Sequence, residues 1–237
     1  PWNTALHWLW RRALAHADLV TAAGPQLAGL LGRHARAAAG PVVLPMAADP
    51  AFVPMDARAA RRALGLPPAT PLVGYFGGWA KRRGTNGILE VIERVDREVP
   101  GARLVLSGRP PPHAREHPLA IALGYVEDAA LPALVNAVDV ASVLTRHNAF
   151  GDYSYPAKLC EAMACRRPIV ATATDPVRWM LGGDARSLVP VDDIEAFAGR
   201  VIARLADGAT DYPAARNWPD VAEAFARALE DRGGSPG

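Results

Sequence analysis

The sequence predicts an α/β fold organised as a doubly wound parallel sheet. Three observations carry this expectation. Short runs rich in Val, Ile and Leu alternate with segments of helical period along the whole chain. The runs lack the strict in–out alternation of half-exposed strands, as expected where a strand is buried on both faces. The order strand, helix, strand builds parallel crossover units.

The elements follow in chain order. "PWNTALHWLWRRALAHAD" opens as a helix, and strands are expected at "DLVTAA" (18–23) and "VVLPM" (42–46), with a helix between them. "PMAADPAFVPMD", with Pro45, Pro50 and Pro54, reads as a linker. Beyond it, strands are expected at "LVGYFG" (72–77), "ARLVLSG" (102–108) and "IALGYV" (121–126). Three more follow at "VASVLT" (140–145), "PIVATA" (168–173) and "SLVPV" (187–191). "NGILEVIERVDREV" places Ile88, Val91, Ile92, Val95 and Val99 on one helical face. Shorter helices are read at "EDAALPALVNAV" and "KLCEAMACR". "DDIEAFAGRVIARLADG" begins with acids and ends in Gly208, as helix ends prefer. "DVAEAFARALEDR" closes the chain ahead of "GGSPG".

Two strands before the linker are too few for a self-sufficient sheet. The chain also opens in mid-pattern without a Met, which reads as a fragment or a processed piece. The expected organisation is residues 1–48 as part of another domain with its crossing, 49–216 as a complete sheet domain, and 217–237 as a closing helix.

At 237 residues with 50% apolar composition, a sizeable core is available. The net charge of +2, with no basic block interleaved with aromatics, argues against nucleic acid. Cys160 and Cys165 lie on different faces of one expected helix, and no Cys/His cluster has zinc spacing. Two unpaired thiols fit a reducing, cytoplasmic compartment. No apolar run reaches membrane-spanning length, and the first residues show no signal-peptide pattern.

In open α/β sheets ligands bind beyond the carboxyl ends of the strands. After "LVGYF" comes "GGWAKRRG". Gly77 and Gly78 permit close backbone approach, while Lys81, Arg82 and Arg83 supply cations before a helix N-terminus. That combination suits a diphosphate; a basic surface loop is the bland alternative. It is neither a Walker motif nor the dinucleotide fingerprint. Gly108 and Arg109 end the next strand, where "RPPP" also reads as a plain turn. Gly124, Tyr125 and Val126 would present backbone groups and a flat wall to a base. In "NAFGDYSYPAKLCEAMAC", Pro156 suits the first turn of a helix on which Lys158 and Glu161 share a face. The pair is either a solvated ion pair or a ligand contact. A glutamate accepts hydrogen bonds from two ribose hydroxyls.

These segments, in this order, resemble the retaining glycosyltransferases of the GT-B fold, the glycosyl transferases group 1 or family 4 type. The resemblance runs from about Ala17 to Leu229, and "FGDYSYPAKLCEAMACRRPIVAT" is its most specific match. "GYFGGWAKRRG" resembles the family's phosphate loop, "VVLPMAADPAFVP" its interdomain crossing and "NWPDVAEAFARALE" its closing helix. The phosphate-loop Arg of the family falls on Gly78 and its Lys on Arg83. The first acid of its paired-glutamate motif falls on Tyr153.

The resemblance implies a Rossmann-like, nucleotide-sugar-binding C-terminal domain, with a partial N-terminal (acceptor) domain. It implies that Glu161 binds the ribose and that Lys158 or Arg83 lies near the diphosphate. Phe150, Gly151, Asp152 and Tyr153 then face the donor sugar, with Ser154 and Leu159 beside them. It implies a UDP- or GDP-sugar donor, no required metal or cofactor, and an unspecified acceptor bound by the missing domain. It also leaves open a peripheral membrane contact through that domain. A binding module without turnover is the alternative, suggested by Gly78 and Tyr153. A pyridoxal-phosphate phosphorylase is disfavoured, because Lys81 and Lys158, the only lysines, both occupy phosphate-site slots. No epimerase acid/base set is visible. His7, His16 and His34 read as ordinary surface or interface histidines.

Overall fold

In the computed structural model, residues 4–35, 40–80 and 83–233 are described. The chain divides into two compact units. One comprises Pro1–Ala47 with Arg216–Gly237, and the other is Ala48–Ala215.

In the smaller unit, α1 (Thr4–His16) leads to β1 (Thr21–Ala22), α2 (Pro25–Gly32) and β2 (Val42–Val43). The helix, strand, helix, strand order is the expected one, but the strands are far shorter than 18–23 and 42–46. They pair in parallel as a two-stranded sheet. A small cluster of Val20, Ala22 and Leu31, joined by Leu14 and Leu27, is its core. No residue of α1 is buried, and Leu6, Trp8, Leu9 and Trp10 are exposed. Trp10 packs edge-on against His34 and lies near His7, which places two of the three histidines in a ring cluster. Trp2 lies outside the described residues. The closing helix of the chain, Trp218–Gly233, begins where the Asn217 side chain accepts from Asp220 N–H.

The larger unit opens with a helix that the sequence reading missed. In α3 (Ala57–Ala63), Asp56 caps the N-terminus by accepting from Ala59 N–H at 2.7 Å. The "linker" ahead of it is tied down. Asn136 accepts from Met55 N–H and donates to the Val53 carbonyl. There follow β3 (Leu72–Phe76), α4 (Gly87–Glu98), β4 (Arg103–Ser107), the single turn α5 (Pro112–Arg115) and β5 (Ala120–Ala122). Next come α6 (Leu131–Ala137), β6 (Val140–Val143), α7 (Ala157–Ala164) and β7 (Ile169–Thr172). The unit ends with α8 (Asp175–Met180), β8 (Leu188–Val189) and α9 (Ile194–Leu205). The Trp218–Gly233 helix is α10. Strand β5 stops well before Val126, because Gly124 turns the chain at φ 69°.

All six strands are parallel, in the order β5-β4-β3-β6-β7-β8. The direction of winding reverses between β3 and β6, so α4 packs with α9 while α6 packs with α3 and α7. Period-two residues Val73, Tyr75, Leu104, Leu106, Val140, Val170 and Val189 meet Ile88, Val91, Ile92 and Val95 of α4 and Phe197 and Val201 of α9. Among the described residues, no helix is long and apolar enough to cross a membrane.

Cys160 and Cys165 are free and buried. Burial, aided by the Glu161 carboxylate, pushes the Cys160 thiol from 9.0 to about 12. Burial pushes Cys165 to about 12 as well, against the opposing pull of Asn136. Thiolate reagents therefore label the native chain at pH 8 far more slowly than the urea-unfolded chain; equal rates would show these thiols to be accessible. Because the folded values lie above the unfolded ones, the stability linked to the neutral thiols is complete below pH 9 and declines as pH climbs toward 12.

Candidate functional site

The reversal point of a doubly wound sheet leaves a crevice between two loops that depart in opposite directions. Here those loops follow β3 and β6. The glycines at the carboxyl ends of three neighbouring strands have left-handed φ values: 137° at Gly77, 90° at Gly108 and 69° at Gly124. Gly108 N–H donates to the Gly124 carbonyl at 2.7 Å, and a Cβ on Gly108 would lie 3.5 Å from the Gly77 carbonyl oxygen. The ends of β3, β4 and β5 thus form a row of backbone without side chains, open to close approach by a ligand.

The loop after β3 is braced from inside. Tyr75 O–H donates to the Gly78 carbonyl at 3.2 Å, and its ring meets Trp79 edge-on. Trp79 Nε1–H donates to Asn86 Oδ1 at 2.9 Å, and Trp79 also meets His113 edge-on. Burial pushes the Tyr75 phenol up to about 12, while the nearby positive charge of Arg83 pulls it down. Gly78 is exposed. Lys81 and Arg82 lie outside the described residues.

The loop after β6 folds back on itself. Asn148 Oδ1 accepts from the N–H groups of Phe150 and Gly151, and its carbonyl accepts from Asp152 N–H. A Cβ on Gly151 would collide with the Arg146 carbonyl oxygen, so only glycine lets the two limbs of this loop touch. Asp152 accepts from or is paired with His147 at 2.7 Å, both partly exposed. Tyr153 is exposed and Ser154 half-buried. Leu159 is fully buried, so its side chain belongs to the core and only its backbone remains for a ligand.

The two loops meet. The Arg83 guanidinium lies over the Phe150 ring, 4.9 Å from its centroid. On α7, Lys158 Nζ donates to both carboxylate oxygens of Glu161, at 3.1 and 2.9 Å. The side chains are 32% and 12% exposed, so the glutamate is far more enclosed than an ordinary surface ion pair. Arg83 is brought to Phe150, and Lys158 to Glu161; among the described residues no hydrogen bond or ion pair joins the two couples. Arg109 and Tyr125 are exposed at the ends of β4 and β5, and Val126 is half-buried.

A cavity of about 350 Å³ adjoins Arg83, lined also by Thr145, Arg146, Thr172, Asp192 and Phe197. Arg146 reaches Asp192 across Gly84, where a Cβ would stand 2.8 Å from Arg146 Nε. Sequence reading missed Trp79, Thr145, Arg146 and Asn148. The Asx-turn spacing of Asn148 to Phe150 was a usable signal; Thr145 and Arg146 act through partners distant in the chain. Among the described residues, no group of three or more His, Cys, Asp or Glu side chains is placed to hold a metal ion.

The chain spans about half or less of the length of the curated relatives it matches. D-inositol 3-phosphate glycosyltransferase from Stackebrandtia nassauensis is 28% identical over 227 residues, covering 82% of this chain and 50% of its own length. 2-Deoxystreptamine N-acetyl-D-glucosaminyltransferase from Streptomyces fradiae is 30% identical over 148 residues, covering 57% and 34%. Among solved structures, Anabaena HepE in complex with UDP matches with a TM-score of 0.77 at 17% identity, over 96% of this chain and 68% of that one. The fold is thus the expected doubly wound α/β class of the GT-B glycosyltransferases. The model of one family, described as Glycosyl transferases group 1, matches residues 70–207, from the strand before the basic loop through the helix after the last strand. That span holds both loops of the crevice, and the chain belongs to the glycosyl transferases group 1 family.

Proposed function

We propose that the Ala48–Ala215 unit is the donor half-site of a retaining, metal-independent glycosyltransferase that uses a UDP- or GDP-sugar. The observation that carries the reading is the meeting of the β3 and β6 loops at the reversal point, where Arg83 lies over Phe150. Arg83, with Lys81 and Arg82, would neutralise the diphosphate as negative charge grows on the leaving group. The backbone at Gly77, Gly108 and Gly124 would admit the nucleotide closely, with Tyr125 and Val126 toward the base and Arg109 at the rim. Glu161 would accept the ribose hydroxyls, oriented by Lys158. Gly151, Asp152, Tyr153 and Ser154 would face the sugar. HepE, of like fold, was solved with UDP, and the curated relatives are named glycosyltransferases.

The smaller unit is read as part of an acceptor domain whose further elements cover the exposed apolar residues of α1 and supply the acceptor, and any membrane contact. Free, buried cysteines suit a cytoplasmic setting. A second reading, a nucleotide-sugar-binding module without turnover, is favoured by Gly78 and Tyr153, which stand where the family carries a cation and an acid.

Calorimetric titration of UDP, GDP and the parent nucleosides tests the donor site. The tighter diphosphate binds at least about ten-fold more strongly than its nucleoside, and only the diphosphate weakens as salt rises from 50 to about 500 mM. Equal affinities with equal salt responses would count against the site. Sugar transfer by the full-length parent separates the enzyme from the silent module.

A further inference from the structure

The contact between Arg83 and Phe150 has an asymmetry that bears on the proposed donor site. The guanidinium of Arg83 makes no hydrogen bond or ion pair among the described residues; it lies over the face of the Phe150 ring, 4.9 Å from the centroid. Arg146, the other arginine on the adjoining cavity, is held differently, through an ion pair with Asp192. A carboxylate that orients an arginine occupies its N–H donors and cancels its charge. An aromatic face attracts the cation through the ring quadrupole, leaves the edge donors of the guanidinium unoccupied and leaves the charge intact.

Both partners stand on fixed backbone. Arg83 N–H donates to the Ala80 carbonyl at 2.9 Å, and Gly87 N–H to the Gly84 carbonyl at 3.0 Å, which closes the turn that carries the arginine. Phe150 is set by Asn148 Oδ1, which accepts from the Phe150 and Gly151 N–H groups at 2.9 and 3.0 Å. The contact spans the reversal point of the sheet, one partner from each side of the crevice.

We propose that Phe150 is a positioning residue for Arg83: its ring holds the guanidinium at the crevice with the N–H donors unoccupied, ready for the phosphate oxygens of a nucleoside diphosphate. This rests on the donor-site reading above. It assigns Phe150 a task exerted through the arginine rather than through the sugar.

The test is calorimetric titration of the tighter of UDP and GDP, and of its nucleoside, into the chain and its Phe150→Leu, Phe150→Tyr, Arg83→Gln and Phe150→Leu/Arg83→Gln variants. Phe150→Leu weakens the diphosphate about three- to ten-fold and leaves the nucleoside unchanged, as loss of a cation–π contact requires. Phe150→Tyr, which keeps the ring face, restores affinity to within about two-fold of the parent. On the Arg83→Gln background, Phe150→Leu costs less than about two-fold, because the residue it served is gone. Circular-dichroism melting checks folding, and Phe150→Met serves as a second removal of the ring if the leucine variant does not fold. Intact diphosphate affinity in Phe150→Leu, equal losses for diphosphate and nucleoside, or additive losses in the double variant would overturn the proposal while leaving the donor site standing. Absence of binding by the unsubstituted chain to either diphosphate would overturn the donor-site reading and this assignment together.

Discussion

Glu161→Ala lowers the affinity for UDP or GDP by at least about ten-fold, with the nucleoside affected as much as the diphosphate. A carboxylate offers about four acceptor directions. Lys158 Nζ takes part of that capacity, at 3.1 and 2.9 Å, and fixes the orientation of the group. The remaining directions suit the two hydroxyls of a ribose. Hydrogen bonds to a charged group contribute about 1.5–3 kcal/mol each, so losing even one corresponds to ten-fold or more in binding. Glu161→Gln, which keeps one oxygen and the shape, loses less. The 2′-deoxynucleotide provides the coupling check: against it, Glu161→Ala has a smaller effect than against the ribonucleotide. An unchanged affinity for UDP and GDP in Glu161→Ala removes this residue from the site and returns the Lys158 pair to a purely structural role.

The largest stability effect belongs to Arg61, which the sequence reading did not single out. Its side chain is 6% exposed and donates to the carbonyls of Ala137, Pro68 and Thr70 and to Asp139 Oδ2, at 2.8 to 3.1 Å. Asp139 Oδ2 also accepts from Leu72 N–H, at the first residue of β3. One arginine therefore joins α3 to the starts of β3 and β6, the two strands that flank the crevice. Arg61→Ala strands three carbonyls and a carboxylate, at a cost of about 3–5 kcal/mol. In urea denaturation the midpoint falls while the slope stays near that of the parent. Arg61→Lys recovers only part, since an ammonium cannot reach four acceptors in a planar fork. A loss below about 1 kcal/mol would show that water replaces these partners freely.

Much of the larger unit was legible before any coordinates. The helical face of Ile88, Val91, Ile92 and Val95 is local information, and these residues are fully buried against the sheet. Helix α3 was hidden by the prolines before it, although Asp56 and the alanines that follow carry a capping and helix signal. The single run read at 121–126 divided at Gly124, because a left-handed turn outweighs the apolar character of its neighbours. In the proposed site, the glycines and Arg83 were visible from their place after strands. The brace of Trp79 on Asn86 and the Arg146 bridge to Asp192 were not, since the latter links residues far apart in sequence.

By itself the sequence determined the strands of the larger unit, its helices other than α3, α5 and α8, and which loops leave the carboxyl ends, because hydrophobic period, caps and glycine conformation act over a few residues. Only the tertiary structure decided that β3 lies beside β6, and therefore that the arginine of one loop meets the phenylalanine of the other. Strand order is a non-local choice, made by burying two helical layers on opposite faces of one sheet, and no stretch of sequence contains it alone.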